Sequence, residues 1–304
     1  MALLETRNLT KRFKNFVAVD HVNLQVNAGE VYGFIGPNGA GKTTVIRMLV
    51  GLIHPTEGDV YIDGHHVGKE FRQAIKQVGA IIETHYMYGY LTARQNLTRL
   101  AMLDPQIDRK RVDEVLELVR LTERADDKVK GYSLGMRQRL GIAQALLSHP
   151  KLVILDEPAN GLDPQGMFEL RQLIKQLASE EGIAFFISSH ILHDIEQICD
   201  RVGIIQQGHL IREERVDTLL QEGEKRYIIH VNRLQEAYEL LQGWDWINEV
   251  VNQGNALQVR VDENQVAELN RQLIQAGYDV DALIPTGTSL EESFLQMTGG
   301  RHAE

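Results

Sequence analysis

The chain has 304 residues, 43% hydrophobic and 24% charged, enough for two ordinary globular domains with a sizeable core. Its net charge of -10 argues against nucleic-acid binding through a broad basic face. A single cysteine, Cys199, excludes a disulfide framework and points to a reducing compartment, and no apolar run approaches the roughly 18 residues that cross a bilayer, so any membrane role must pass through a partner.

The opening MALLETRNLTKRFK has no apolar core and no cleavage site, so no secretory signal is expected. LLETRNLTKRF and AVDHVNLQVNAG read as strands, the second with Val22, Leu24 and Val26 alternating with polar residues. VYGFI, Val31 to Ile35, is a short buried strand. It runs into GPNGAGKTT, Gly36 to Thr44, and then into the helical VIRMLVGL. Strand, glycine-rich loop and helix in that order make the context of a phosphate-binding loop. G-x-x-x-x-G-K-[ST] is filled at Gly36, Gly41, Lys42 and Thr43, with Pro37, Asn38, Gly39 and Ala40 inside it and Thr44 after it. Such a loop turns successive N–H groups toward one anion, and the following helix adds its positive end. Lys42 supplies a point charge to the outer phosphates, and the Thr43 hydroxyl is a ligand for Mg²⁺.

From about Leu91 to Leu147 the pattern is mostly helical. Val112, Val115, Leu116 and Val119 share one face of DRKRVDEVLELVRL. YSLGMRQRLGIAQALL opens with Ser133 in the N-cap position, a second helix terminus able to meet an anion. LVILDEP, Leu152 to Pro158, is a buried strand stopped by acids and a proline. Adjacent strand residues point opposite ways, so Asp156 is read as a magnesium ligand and Glu157 as the general base for an attacking water. The helical GMFELRQLIKQLAS follows. IAFFISSH then ends on His190, at the edge where open α/β sheets bind ligands. A helix is expected over about 191–199, and a hairpin turning at Gln207-Gly208. Strands alternating with helices indicate an α/β domain with a largely parallel sheet.

A second domain is expected at 223–304. YIIHV, a helix through Leu234, Ala237, Leu240 and Leu241, WINEVV, ALQVRV, a helix through Val266, Leu269 and Leu273, and YDVDALI spell βαββαβ, a ferredoxin-like pattern. Asn232 reads as the cap of the first helix, Gly243 as its end and Gly277 as the C-cap of the second. SLEESFLQM reads as a last helix, with Ser289 and Glu292 in capping-box spacing. This tail has no His/Cys/Asp/Glu set at ligand spacing. A homodimer contact or stabilisation is its expected role, with Trp244 and Trp246 in packing.

These pieces in this order resemble the nucleotide-binding subunit of an ABC transporter, over roughly Leu3 to Glu214. GPNGAGKTT resembles the family's Walker A, LVILDE its Walker B, YSLGM its signature, GLDP (Gly161 to Pro164) its D-loop and His190 its switch histidine. The resemblance implies an α/β P-loop NTPase domain at 1–222, with an antiparallel subdomain, a mostly parallel core and a helical subdomain at about 88–150, followed by the ferredoxin-like domain. It implies that Phe13 stacks on adenine. It also implies two ATPase subunits packed head to tail, a homodimer or a paired subunit, so that Ser133, Gly135 and Asp163 of one copy reach the nucleotide of the other. Hydrolysis by Lys42, Glu157 and His190, with Mg²⁺ at Thr43, Asp156 and Glu83, would then power export through a separate transmembrane permease. The expected place is the cytoplasmic face of the membrane, with no nucleic-acid partner.

Leu134 and Met136 stand where the family's signature usually has glycine and glutamine, and Glu83 stands at the Q-loop glutamine. These departures and the tail look like the bacitracin-resistance and lantibiotic-immunity exporters, with a peptide antibiotic or drug as cargo. HYMYGYLT after Glu83 reads either as core or as a groove for a membrane-subunit helix. The alternative is a soluble ABC ATPase acting on nucleic acid or ribosomes. The acidic balance, a single phosphate loop and the lack of a long coiled coil between Thr44 and Leu152 count against it.

Overall fold

A computed structural model describes residues 2–83, 87–222 and 226–286, and the chain divides into two compact units, Met1–Arg215 and Val216–Glu304. The first unit carries, in chain order, β1 (Ala2–Phe13), β2 (Phe16–Val22), β3 (Gln25–Asn27), β4 (Val31–Ile35), α1 (Lys42–Leu49), β5 (Glu57–Ile62), β6 (His65–His66), α2 (Phe71–Ile75), β7 (Val78–Ile81), α3 (Ala93–Ala101), α4 (Lys110–Leu118), α5 (Leu134–Leu146), β8 (Leu152–Asp156), α6 (Pro164–Glu181), β9 (Ala184–Ser189), α7 (Leu192–Ile198), β10 (Arg201–Gln206) and β11 (His209–Arg215).

Among the described residues these strands form two sheets. One is antiparallel, in the order β2-β1-β5-β6 with β3 also on β1. The other runs β11-β10-β4-β9-β8-β7, parallel except for β11. β4, β8 and β9 are buried along their whole lengths, as strands with apolar side chains on both faces must be. Tyr32 stacks on Phe186 and Phe34 meets the same ring at a tilt, within the core that joins the two sheets, beside Leu4, Leu9 and Ile46.

Val22, Leu24 and Val26 are all buried, yet they do not lie in one strand. The ladder breaks between β2 and β3. Across the gap the buried Thr6 hydroxyl donates to the Val22 carbonyl and accepts from Leu24 N–H, each at 3.0 Å. A side chain thus satisfies backbone groups that the strand leaves unpaired. The helices start where capping chemistry sits. Thr92 and Gln95 exchange a full capping box at α3, Ser133 caps α5, and Asp163 caps α6 with Pro164 at its first position.

The second unit holds α8 (Val216–Glu222), β12 (Arg226–Val231), α9 (Leu234–Gln242), β13 (Glu249–Asn252), β14 (Leu257–Arg260), α10 (Val266–Gln275) and β15 (Val280–Thr286). Its sheet is antiparallel in the order β13-β14-β12-β15, the arrangement of a ferredoxin-like unit. Tyr227, Ile229 and Val231 alternate inward against Ala237, Leu241, Leu269 and Leu273. Trp244 and Trp246 stack on one another at 5.4 Å and pack on the same core. Asn232 does not cap α9. Its amide donates to the Asp279 carboxylate at 2.7 Å and its oxygen accepts from Asp279 N–H, so it ties the end of β12 to the residue before β15. Left-handed Arg233 occupies the cap position instead. The expected helix at 289–297, with Ser289 and Glu292, lies outside the described residues, as do His85 and Tyr86 of HYMYGYLT. Tyr88 and Tyr90 of that stretch are exposed and do not join the core.

Candidate active site

The register of the parallel sheet assembles the site. Ile35 pairs with Ser189, and Ser188 with Asp156, so β4, β9 and β8 end nearly level. The residues that follow these ends are Gly36, His190 and Glu157. Three segments far apart in sequence thereby deliver their polar groups to one carboxyl edge.

From Gly36 the loop curls into α1, whose N-cap is Gly41 at φ +109, a conformation open to glycine. A cavity of about 260 Å³ lies on this loop. Its lining includes Pro37, Asn38, Gly39, Gly41, Lys42, Thr43, Thr44 and Glu157, together with Phe16 and Ala18 from β2. Lys42 is 6% exposed. Its ammonium donates to the Gly36 carbonyl at 2.6 Å and the Pro37 carbonyl at 3.3 Å, and lies 3.2 Å from Glu157 Oε1. A buried cation is thus matched by three oxygens.

Glu157 is held from both sides. Its other oxygen, Oε2, lies 2.8 Å from His190 Nδ1. Its backbone is left-handed at φ 49, a strained position for a glutamate, and Ser188 pins it there: the Ser188 hydroxyl accepts from Glu157 N–H at 3.0 Å. The same hydroxyl donates to Asp156 Oδ1 at 2.5 Å, and Asp156 Oδ2 accepts from the Thr43 hydroxyl at 3.0 Å. Asp156 is 6% exposed, so its charge sits in a poorly hydrated spot lined by hydroxyls. A carboxylate beside a hydroxyl at a phosphate loop is the hard-oxygen donor set that Mg²⁺ takes. Among the described residues no three His, Cys, Asp or Glu side chains cluster to hold a metal by themselves.

Glu83 is elsewhere engaged. It forms an ion pair with Arg47 in the last turn of α1. Phe13 and Phe16 face each other across the β1–β2 hairpin and are 47% and 64% exposed, but it is Phe16 that lines the cavity. Lys11 lies over the Phe13 ring, 5.2 Å from its centre.

Ser133 and Gly135 stand at the start of α5 and are not part of that cavity's lining. Ser133 accepts from Met136 N–H at 3.2 Å, and Asp163 accepts from Gly166 N–H at 2.7 Å. A Cβ on Gly135 would lie 3.8 Å from Gly166 Cα, and one on Gly161 would lie 3.2 Å from Leu134. The N-termini of α5 and α6 therefore sit side by side, two positive helix ends on one patch.

Sequence reasoning did not single out Phe16, Ser188 or Arg47. A hydroxyl pair in the otherwise apolar FFISSH was the available signal for Ser188. No spacing rule connects Arg47 with Glu83.

The chain is similar to known proteins in sequence and in fold. The ABC transporter family profile matches residues 19–160. The bacitracin transport ATP-binding protein BcrA of Bacillus licheniformis is 42% identical over 299 residues, covering 98% of each chain. The structure of cbiO1 from Clostridium perfringens, part of the ABC transporter complex cbiONQ, covers 73% of this chain and 91% of its own at 25% identity, with a TM-score of 0.67. The dimeric post-hydrolysis ATP-binding cassette MJ0796, bound to ADP and phosphate, covers 70% of this chain and 98% of its own at 28% identity, with a TM-score of 0.62.

Proposed function

The chain belongs to the ABC transporter family as an ATP-hydrolysing, ATP-binding subunit, and from that premise we propose that it closes on a second ATPase subunit around two ATP molecules and drives export through a separate membrane protein. One observation carries the dimer. The paired starts of α5 and α6, with Ser133 and Gly135, lie outside the cavity that holds Lys42 and Glu157, and a phosphate there has room for donors delivered by a second copy. The dimeric MJ0796 cassette supports the same reading.

In this proposal the triphosphate lies on Gly36 to Thr44. Lys42 exchanges its Gly36 and Pro37 carbonyl partners for phosphate oxygens. Phe13 and Phe16 form the platform for adenine. Thr43 and Asp156 hold Mg²⁺, which when bound neutralises charge on the outer phosphates. Water attacks the γ-phosphorus in line; its oxygen forms the new bond, ADP leaves, and Glu157 accepts the proton. His190 orients the Glu157 carboxylate through Oε2. Ser133 and the Gly135 N–H of the partner copy stabilise the developing charge. Loss of the γ-phosphate removes the group that both copies hold, and the pair opens.

Similarity to BcrA supports a peptide antibiotic as the cargo, and the exposed Tyr88 and Tyr90 support a surface that receives the membrane subunit. No helix among the described residues is long and apolar enough to cross a membrane, which fits peripheral attachment to the cytoplasmic face through that subunit. The second unit is an accessory domain in this scheme.

The test is to sequence the neighbouring reading frames and co-express this chain with any multi-span hydrophobic protein found there. The expected result is co-purification in detergent, ATP hydrolysis stimulated in vesicles, and host tolerance of bacitracin that Glu157→Gln abolishes. A chain that neither binds that protein nor alters tolerance sinks the exporter reading.

A further inference from the structure

The phosphate loop is gripped from behind. The turn Gln207-Gly208 between β10 and β11 is not part of the cavity lining, yet the Gly208 N–H donates to the Ala40 carbonyl at 3.0 Å. The Gly208 carbonyl in turn accepts from Asp20 N–H at 2.9 Å. One residue thereby ties the middle of the phosphate loop to β2. Ala40 is buried, so its carbonyl needs a protein partner, and Gly208 is that partner.

The surrounding contact is backbone against backbone. A Cβ on Gly208 would lie 2.9 Å from the Ala18 carbonyl oxygen, and a Cβ on Gly41 would lie 2.6 Å from the same oxygen. A Cβ on Gly36 would run into the Ile205 carbonyl. Ala18 belongs to β2 and Ile205 to β10. Two glycines of the phosphate motif and the glycine of a distant hairpin are therefore small for one shared reason: a Cβ at each would run into a backbone oxygen of a neighbouring segment.

We propose that Gly208 is a positioning residue for nucleotide binding, its amide holding the Ala40 carbonyl and so keeping the phosphate loop in the curl that converges its N–H groups. A loop curled beforehand loses less conformational freedom on binding. Releasing the clasp lowers the fraction of molecules ready to bind, and apparent affinity falls with that fraction. By reciprocity, bound nucleotide must tighten the clasp.

The chain contains a matched control. Asp63-Gly64, between β5 and β6, is also a two-residue turn, with φ of 49° and 79° against 49° and 84° at Gln207-Gly208. A Cβ on Gly64 meets nothing within 4 Å. Alanine at either glycine carries similar backbone strain, but only at 208 does its Cβ press on β2 at Ala18 and Val19, shifting the residue whose amide holds the Ala40 carbonyl.

Full-length Gly208→Ala and Gly64→Ala are compared with wild type for thermal midpoint, affinity for a fluorescent ATP analogue, and KM and kcat. Both variants lower the midpoint. Only Gly208→Ala weakens the analogue, by about tenfold or more, and raises KM while kcat at saturating ATP is largely kept. Equal affinity in the two variants overturns the proposal. Where Gly208→Ala does not fold, hydrogen exchange of wild-type residues 206–210 with and without ADP decides: slower exchange with ADP supports the clasp, and unchanged exchange overturns it. The proposal rests on this loop being the ATP site. That reading is tested separately by loss of analogue binding in Lys42→Ala.

Discussion

Lys42 Nζ lies 3.2 Å from Glu157 Oε1, an ion pair that joins the phosphate loop to the end of β8. The pair matters because each member has further work. Lys42 also donates to the loop's own carbonyls, and Glu157 also meets His190. Glu157→Gln keeps the shape and removes the proton acceptor. Turnover is expected to fall about 10²–10⁴-fold while ATP binding persists and an ATP-bound dimer accumulates. Phosphate release and size-exclusion chromatography read both effects, and rapid turnover by the variant removes Glu157 from its role.

Ser133 caps α5, and in the proposed dimer it also meets the partner's nucleotide, so its two roles separate by substitution. Ser133→Ala costs the cap, about 1 kcal/mol of stability. Ser133→Arg places a long cation at the patch and is expected to abolish ATP-dependent dimerisation while monomers still bind ATP. A dimer that still forms with ATP contradicts donation by a second copy.

Arg47, in the last turn of α1, neutralises Glu83. Both side chains are more than a third exposed, so the pair contributes under about 1 kcal/mol to stability. Glu83→Gln and Arg47→Met are each expected to shift the thermal midpoint little, to leave ATP affinity nearly unchanged, and to lower stimulation by the membrane subunit. A large loss of ATP affinity in Glu83→Gln moves this residue into the binding site.

The aromatic hairpin predicts a base-binding defect. Phe16→Ala is expected to raise KM for ATP about two- to tenfold, the value of one stacked ring, with kcat nearly kept. Phe13→Ala, at the facing position of the hairpin but outside the cavity lining, is expected to raise KM less. An unchanged KM in both places adenine elsewhere.

Cys199 is 7% exposed, and burial first, then the negative charge of Asp200, holds its thiol well above the usual range. A thiol kept protonated is a poor nucleophile, so Ellman's reagent is expected to react with it only on unfolding. Above about pH 8.5 the unfolded thiol ionises while the folded one does not, so this contribution is full at neutral pH and is lost as pH rises. Denaturant titrations of wild type and Cys199→Ala at pH 7 and pH 9.5 measure the difference.

Much of the candidate site is legible in the sequence. Gly36 to Thr44 sits between a strand and a helix, and LVILDE and FFISSH are strands that end in polar groups, because burial on both faces leaves a parallel strand no place for charge except its ends. Ser133 announced its helix because capping is a local transaction of three residues. Other features were not readable in this way. Ser188 serves both Asp156 and Glu157 only because β8 and β9 align. Asn232 looks like a cap in sequence, yet Asp279 is a better partner once β15 lies beside β12.

By itself the amino-acid order determined which groups carry charge, where the chain curls and which segments bury both faces, since these depend on residues within a few positions of one another. Only the tertiary structure decided that Phe16 reaches the cavity, that Arg47 answers Glu83 and that Gly208 holds Ala40. Those pairings join segments whose lateral register is set by packing the whole core, and no short-range pattern in the chain records that register.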